Sequence, residues 1–162
     1  MEEYQNKKMN NTSSKSYTST ITVDKDVTSA FNSIKNFSAW WSEEIEGNTD
    51  KVGETFFYHY KDVHLCKIKL IEVFADKKLV YQVIDNEFNF TKDKTEWINT
   101  RIIFSIYSSD GHTRVEMTHI GLFPGVPCFD ECKKGWDFFA GQSLQALISI
   151  GKGTPHPSKV SA

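Results

Sequence analysis

The chain has 162 residues, enough for one domain with a real core. Its net charge is −2 and its basic residues are spread along the chain, which excludes the concentrated basic face that nucleic acid requires. No apolar run approaches the roughly 20 residues of a membrane span, and three cysteines, an odd number, form no disulfide ladder.

Residues 1–15 are polar, rich in Asn, Lys, Ser and Thr, and are expected to be a disordered tail. They lack the apolar centre of a secretory signal, so together with the unpaired cysteines they predict a cytoplasmic protein. "SYTSTITV" (16–23) is β-branched and predicts a strand. In "DKDVTSAFNSIKNF" Val27, Phe31 and Ile34 recur at helical spacing, with Asp24 available as the cap. "SAWWSEEIEG" (38–47) predicts a second short helix, capped by Ser38 and closed by Gly47.

From Gly53 the apolar period becomes two. "GETFFYHY", "VHLCKIKLIEVF" and "KKLVYQVID" predict three strands joined by polar turns, and "NEFNFTKDKTEW" (86–97) predicts an irregular insert. "TRIIFSIYSS" and "TRVEMTHIGL" predict a hairpin across Asp110-Gly111.

The last element is a long amphipathic helix over 128–150. Pro127 suits its first turn, Asp130 and Glu131 favour its positive end, and Gly151 closes it. Phe129, Cys132, Trp136, Phe139, Ala140, Ser143, Leu144, Leu147 and Ile150 form its apolar face. An antiparallel sheet with one apolar face needs a cover, and only this helix is long enough to supply it. The fold class is therefore α+β: a curved antiparallel sheet around a long C-terminal helix, with two short helices after the first strand. The domain spans 16–154, and 155–162 are a C-terminal tail.

Several strings resemble the START-like (SRPBCC, helix-grip) superfamily, in the branch named for the activator of the heat-shock-protein ATPase. They are "VDKDVTSAFNSIKNFSAWWSEEIEG", "GETFFY", "EWINTRIIFSI" and "THIGLFPGVPCFDECKKGWDFFAGQSLQALISIGKGTP". The last is similar to a bacterial subgroup with the pattern His-x-Gly-Leu-x-Pro, Cys-x-x-x-Cys and Gly-Lys-Gly-x-Pro. The resemblance covers roughly residues 17–155. It implies an apolar cavity between sheet and C-terminal helix.

The aromatic content, 14% of the chain, suits either such a cavity wall or a sticky surface. Period two puts Val115, Met117 and His119 on one strand face, with His119 as the polar group nearest the cavity mouth. Trp136, Phe139 and Ser143 face in from the helix, Phe56, Tyr58, Tyr81 and Phe104 from the sheet, and Trp40 or its neighbour Trp41 from the short helices. His119 is read as a ligand's hydrogen-bond partner or as a histidine satisfied at a strand end. Cys128 and Cys132, one helical turn apart, are read as small buried hydrophobes before redox or zinc ligands, even with His64 and Cys66 nearby. Glu54, Glu96, Arg101 and Asp137 are placed on solvated faces. Phe138 falls opposite the apolar stripe, as a position covered by the insert or a contact in a homodimer.

No catalytic residue, metal or cofactor is assigned. The expected function is the binding of a small apolar or aromatic molecule. The alternatives are a cyclase- or hydrolase-like enzyme with His119 as base, and a co-chaperone-type interaction domain.

Overall fold

The computed structural model describes residues 15–61, 63–89 and 95–157. The expected tail up to residue 14, position 62 of the first turn, residues 90–94 of the expected insert and the terminal 158–162 lie outside the described residues. Among those described, seven strands form one antiparallel sheet: β1 (Ser16–Val23), β2 (Ile45–Gly47), β3 (Thr55–Tyr60), β4 (His64–Phe74), β5 (Lys78–Phe88), β6 (Arg101–Ser109) and β7 (His112–Ile120). Their spatial order is β1-β7-β6-β5-β4-β3-β2.

Alternation of burial fixes the register. Thr113, Val115, Met117 and His119 of β7 point inward, opposite Ile102, Phe104 and Ile106 of β6. Asp110 and Gly111 both have positive φ, 52° and 81°, the geometry of the two-residue turn that matches strand twist. Register shifts between β4 and β5, at Lys67/Ile68 and Leu70/Glu72, bend the sheet into a cup. Strand β5 runs on through Asn86, Glu87 and Phe88, which the sequence had assigned to the insert. These residues pair with His64–Cys66, and that cross-strand partner outweighs their weak local propensity.

Two short helices follow β1: α1 (Val27–Lys35) and α2 (Phe37–Trp40). The cap of α1 is Asp26, whose carboxylate accepts the Ser29 N–H at 2.7 Å. Asp24 lies too far upstream to reach that amide and instead meets His112 Nδ1 at 2.5 Å. Ser38 sits inside α2 rather than at its cap, and α2 is short because the chain turns away after Trp41. Residues Ile45–Gly47 then add an edge strand against Phe56–Tyr58.

The C-terminal helix has three parts: α3 (Phe129–Trp136), a π-helical stretch Asp137–Ser143, and α4 (Leu144–Ile150), ended by Gly151 at φ 81°. Its inward side carries Cys132, Trp136, Phe139, Ala140, Ser143, Leu144 and Ile148. Ile150, expected on this face, is 77% exposed, because it lies about 200° around the helix from Ile148. The helix packs on β1 and on both short helices, and the Tyr17 hydroxyl bonds the Asp137 carboxylate across that seam.

Candidate functional site

A cavity of about 440 Å³ opens between the outer part of the sheet and the first half of the C-terminal helix. β3 contributes Tyr58 and Tyr60, β4 His64, β5 Phe88, and the helix Glu131, Cys132, Gly135, Trp136 and Phe139. Trp41, Val63, Trp97 and His156 complete the wall.

One side of the cavity is a ladder of rings. Tyr58 stacks on Trp41 with centroids 3.8 Å apart, Trp41 lies 4.8 Å from Trp136, and Trp136 is near-parallel to Trp97 at 5.9 Å. Such close ring pairs, two near-parallel and the Trp41–Trp136 pair tilted by 32°, add to the burial of large apolar surface and hold each ring's orientation. Burial pushes the Tyr58 phenol well above its ordinary pKa, so it stays protonated. At the rim His156 stacks on Tyr60 at 3.9 Å and packs against Phe139 at 4.2 Å.

His156 belongs to a segment after Gly151 that folds back over the helix pair. The Ser143 hydroxyl donates to the Trp40 carbonyl at 2.7 Å and accepts the Thr154 N–H at 2.7 Å. The His156 N–H donates to the Trp41 carbonyl, and the His156 carbonyl accepts the Glu43 N–H, both at 2.9 Å. Gly153 is required where this segment crosses: an added Cβ would stand 2.5 Å from the Ala39 carbonyl oxygen and 2.9 Å from that of Ser143.

The residues singled out in the sequence divide between wall and core. Tyr58, Trp136 and Phe139 are in the cavity wall. Trp40, Phe56, Tyr81, Phe104, Val115 and Met117 are packed in the core cluster, and Ser143 is a buried anchor for the C-terminal segment. Trp40 donates its indole N–H to the Ile34 carbonyl, which turns it into the core and leaves Trp41 to face the cavity.

His119 is fully buried and does not reach the wall. Its Nδ1 accepts the Trp136 indole N–H at 3.0 Å, so Nε2 carries the proton of the neutral ring and donates to Thr100 Oγ1 at 2.8 Å. Thr100 in turn donates to the Trp97 carbonyl at 2.6 Å. The chain of bonds links the Trp136 ring to the backbone of Trp97 through one imidazole. Burial drives the His119 pKa down to about 3, with His64 adding to the effect.

Cys128 and Cys132 are both buried free thiols. Cys132 helps line the cavity; the Cys128 N–H donates to Glu96 Oε1 at 2.7 Å. Contact with Cys132, then burial, pushes the Cys128 thiol well above its ordinary range. Glu96 is thus drawn in from the solvated face expected of it, and its Oε2 is buried without a partner among the described residues. Phe138 is half-buried, edge-on to Phe139 at 4.8 Å.

Several wall residues had no place in the sequence reading of the cavity, Trp97, His156 and His64 among them. Trp97 and His156 lay in stretches read as insert and tail, although a tryptophan in a polar stretch is itself a signal of burial. His64, considered only as a zinc ligand, starts the inward series His64, Cys66, Ile68, Leu70 that alternation predicts.

Among solved structures, the chain is similar to the Aha1 dimer from Colwellia psychrerythraea, at 20% identity and TM-score 0.68 over 85% of this chain and 98% of that one. It is also similar to DynU16, a protein of the dynemicin biosynthetic locus, at 14% identity and TM-score 0.64 over 86% of this chain and 49% of that one. A third is protein MLL2253 from Mesorhizobium loti, at 14% identity and TM-score 0.64 over 82% and 96%. No protein-family model and no curated protein matches the chain. At these identities the likeness is one of fold, and the fold is the α+β helix-grip fold.

Proposed function

Starting from this helix-grip fold, we propose that the protein is a binding module for a small, planar, apolar or aromatic molecule held between the sheet and the C-terminal helix. The observation that carries the reading is the ladder Tyr58–Trp41–Trp136–Trp97 in the wall of a cavity of about 440 Å³. Its size is that of small-molecule pockets, and a flat ring gains most against flat rings of fixed orientation. The polar groups at the wall are few, which suits an occupant recognised mainly by shape. His119 serves in this reading as a positioning residue that holds Trp136 and, through Thr100, the segment bearing Trp97.

Gly135 provides the test. It lies on the cavity wall, and a Cβ added there meets nothing within 4 Å. A phenylalanine at this position would project into the cavity while recovering a few tenths of the roughly 1 kcal/mol that glycine costs inside a helix relative to alanine. Naphthalene titrated into the wild-type protein is expected to shift the NMR signals of the Trp41, Trp97 and Trp136 indole N–H groups. Gly135→Phe is expected to melt no lower than wild type and to show no such shifts. Unshifted wild-type signals at the solubility limit of naphthalene, or equal binding by Gly135→Phe, would refute the reading.

A further inference from the structure

The two ring nitrogens of His64 are not equivalent. Nε2 lies 2.6 Å from Asn86 Oδ1, an oxygen that also accepts the Cys66 thiol at 3.2 Å. An amide oxygen only accepts, so Nε2 carries the proton and Nδ1 is left with a bare lone pair. Nothing among the described residues occupies that lone pair. The fully buried side-chain atoms without a partner there are Glu96 Oε2 and Trp97 Nε1, so Nδ1 is not sealed in the core but reached from the cavity whose wall His64 forms.

The surroundings hold the ring in place and keep it neutral. His64 is 7% exposed and is boxed by Tyr58 at 5.1 Å, Phe88 at 4.2 Å and Trp97 at 4.6 Å. Burial pushes its pKa down to about 3; His156 adds to this, and the Asn86 hydrogen bond opposes it without reversing it. At neutral pH the cavity therefore contains a rigid acceptor, fixed in one tautomer by Asn86.

We infer that the cavity selects an aromatic molecule bearing a hydroxyl group, whose O–H is donated to Nδ1 of His64 while the ring lies against the aromatic ladder. The inference rests on the cavity reading above and adds the chemical class of its occupant. A phenol donates the hydrogen bond that this acceptor lacks. Its methyl ether has no proton to give and leaves the buried lone pair unpaired. An aromatic carboxylate presents only acceptors and a charge that must be desolvated, so it is disfavoured most.

The probes are 2-naphthol, 2-methoxynaphthalene and 2-naphthoate, titrated into the full chain by calorimetry. We expect 2-naphthol to bind roughly fivefold to tenfold tighter than the ether, the range of one neutral hydrogen bond, and 2-naphthoate to bind weakest. In His64→Phe, which keeps a flat ring but removes the acceptor, naphthol and ether should bind alike. Nitrogen-15 histidine NMR of the wild-type protein gives a second readout that needs no variant. The free protein should show His64 as the Nε2–H tautomer, and 2-naphthol but not the ether should shift its Nδ1 resonance. Equal binding of naphthol and ether, or an unmoved Nδ1 signal, overturns the inference and leaves the cavity reading standing. Failure of both compounds to bind overturns the two together.

Discussion

At the scale of single residues, the imidazoles tie stability to pH. His64 and His119 have pKa values pushed down to about 3 by burial, against an ordinary value of 6.5. The unfolded chain takes up a proton at each as pH falls below 6.5, whereas the folded protein takes up none until about 3. Acid therefore favours the unfolded state: the full stability present above pH 6.5 is lost progressively between 6.5 and 3. Two such groups give a slope of about 2.7 kcal/mol per pH unit near pH 5. His156, held down to about 4 by burial, adds a third such proton, so in His119→Gln, which removes one of three, the slope measured by urea unfolding at pH 6, 5.5 and 5 should fall by about a third. An unchanged slope would mean that His119 is protonated in the folded protein. The inward direction of His119 was legible from the alternation Val115, Met117, His119. Its two partners were not, because Trp136 and Thr100 come from elements whose meeting depends on the closed fold.

At the scale of elements, the strands and the long helix could be read from their periods, whereas their ends were set by chemistry that periods do not carry. Helix α1 shows this at one position. Two aspartates precede it, and only the one whose oxygen reaches an amide two or three residues into the helix caps it. Asp26→Ala is expected to lower stability by about 1 kcal/mol, the usual worth of a lost cap. Asp24→Ala removes only an exposed partner of His112 and should fall within about 0.5 kcal/mol of wild type. Chemical denaturation of the two variants side by side decides the matter, since equal losses would contradict the capping geometry. The π-helical stretch Asp137–Ser143 was not legible at all. Its composition is that of an ordinary helix, and it brings Phe139, Ala140 and Ser143 inward together between the cavity and the core.

At the scale of the whole molecule, the part of the cavity wall outside the sheet and the C-terminal helix comes from stretches far apart in sequence: Trp41 after the short-helix pair, the segment holding Trp97, and the C-terminal segment bearing His156. The resemblance of the chain to helix-grip proteins predicted the sheet and the gripping helix, but not the part of the wall that lies outside both. The C-terminal segment is fixed by backbone hydrogen bonds to Trp41 and Glu43, by the Ser143 hydroxyl, and by the close crossing at Gly153. A side chain at position 153 must push aside two backbone carbonyls, one from the short-helix stretch and one from the C-terminal helix. Gly153→Val should therefore lift the segment while the sheet, which it does not touch, stays folded. The consequence can be followed at Lys152, one residue upstream. Trypsin should cut there roughly tenfold faster than in wild type, as expected if local opening becomes easier by about 1.4 kcal/mol. Naphthalene affinity should fall in parallel, because His156 would leave the face of Tyr60 and the side of Phe139. Faster cleavage with undiminished affinity would show that the C-terminal segment covers the cavity without contributing to binding. Unchanged cleavage would show that the crossing tolerates a side chain, contrary to the 2.5 Å approach.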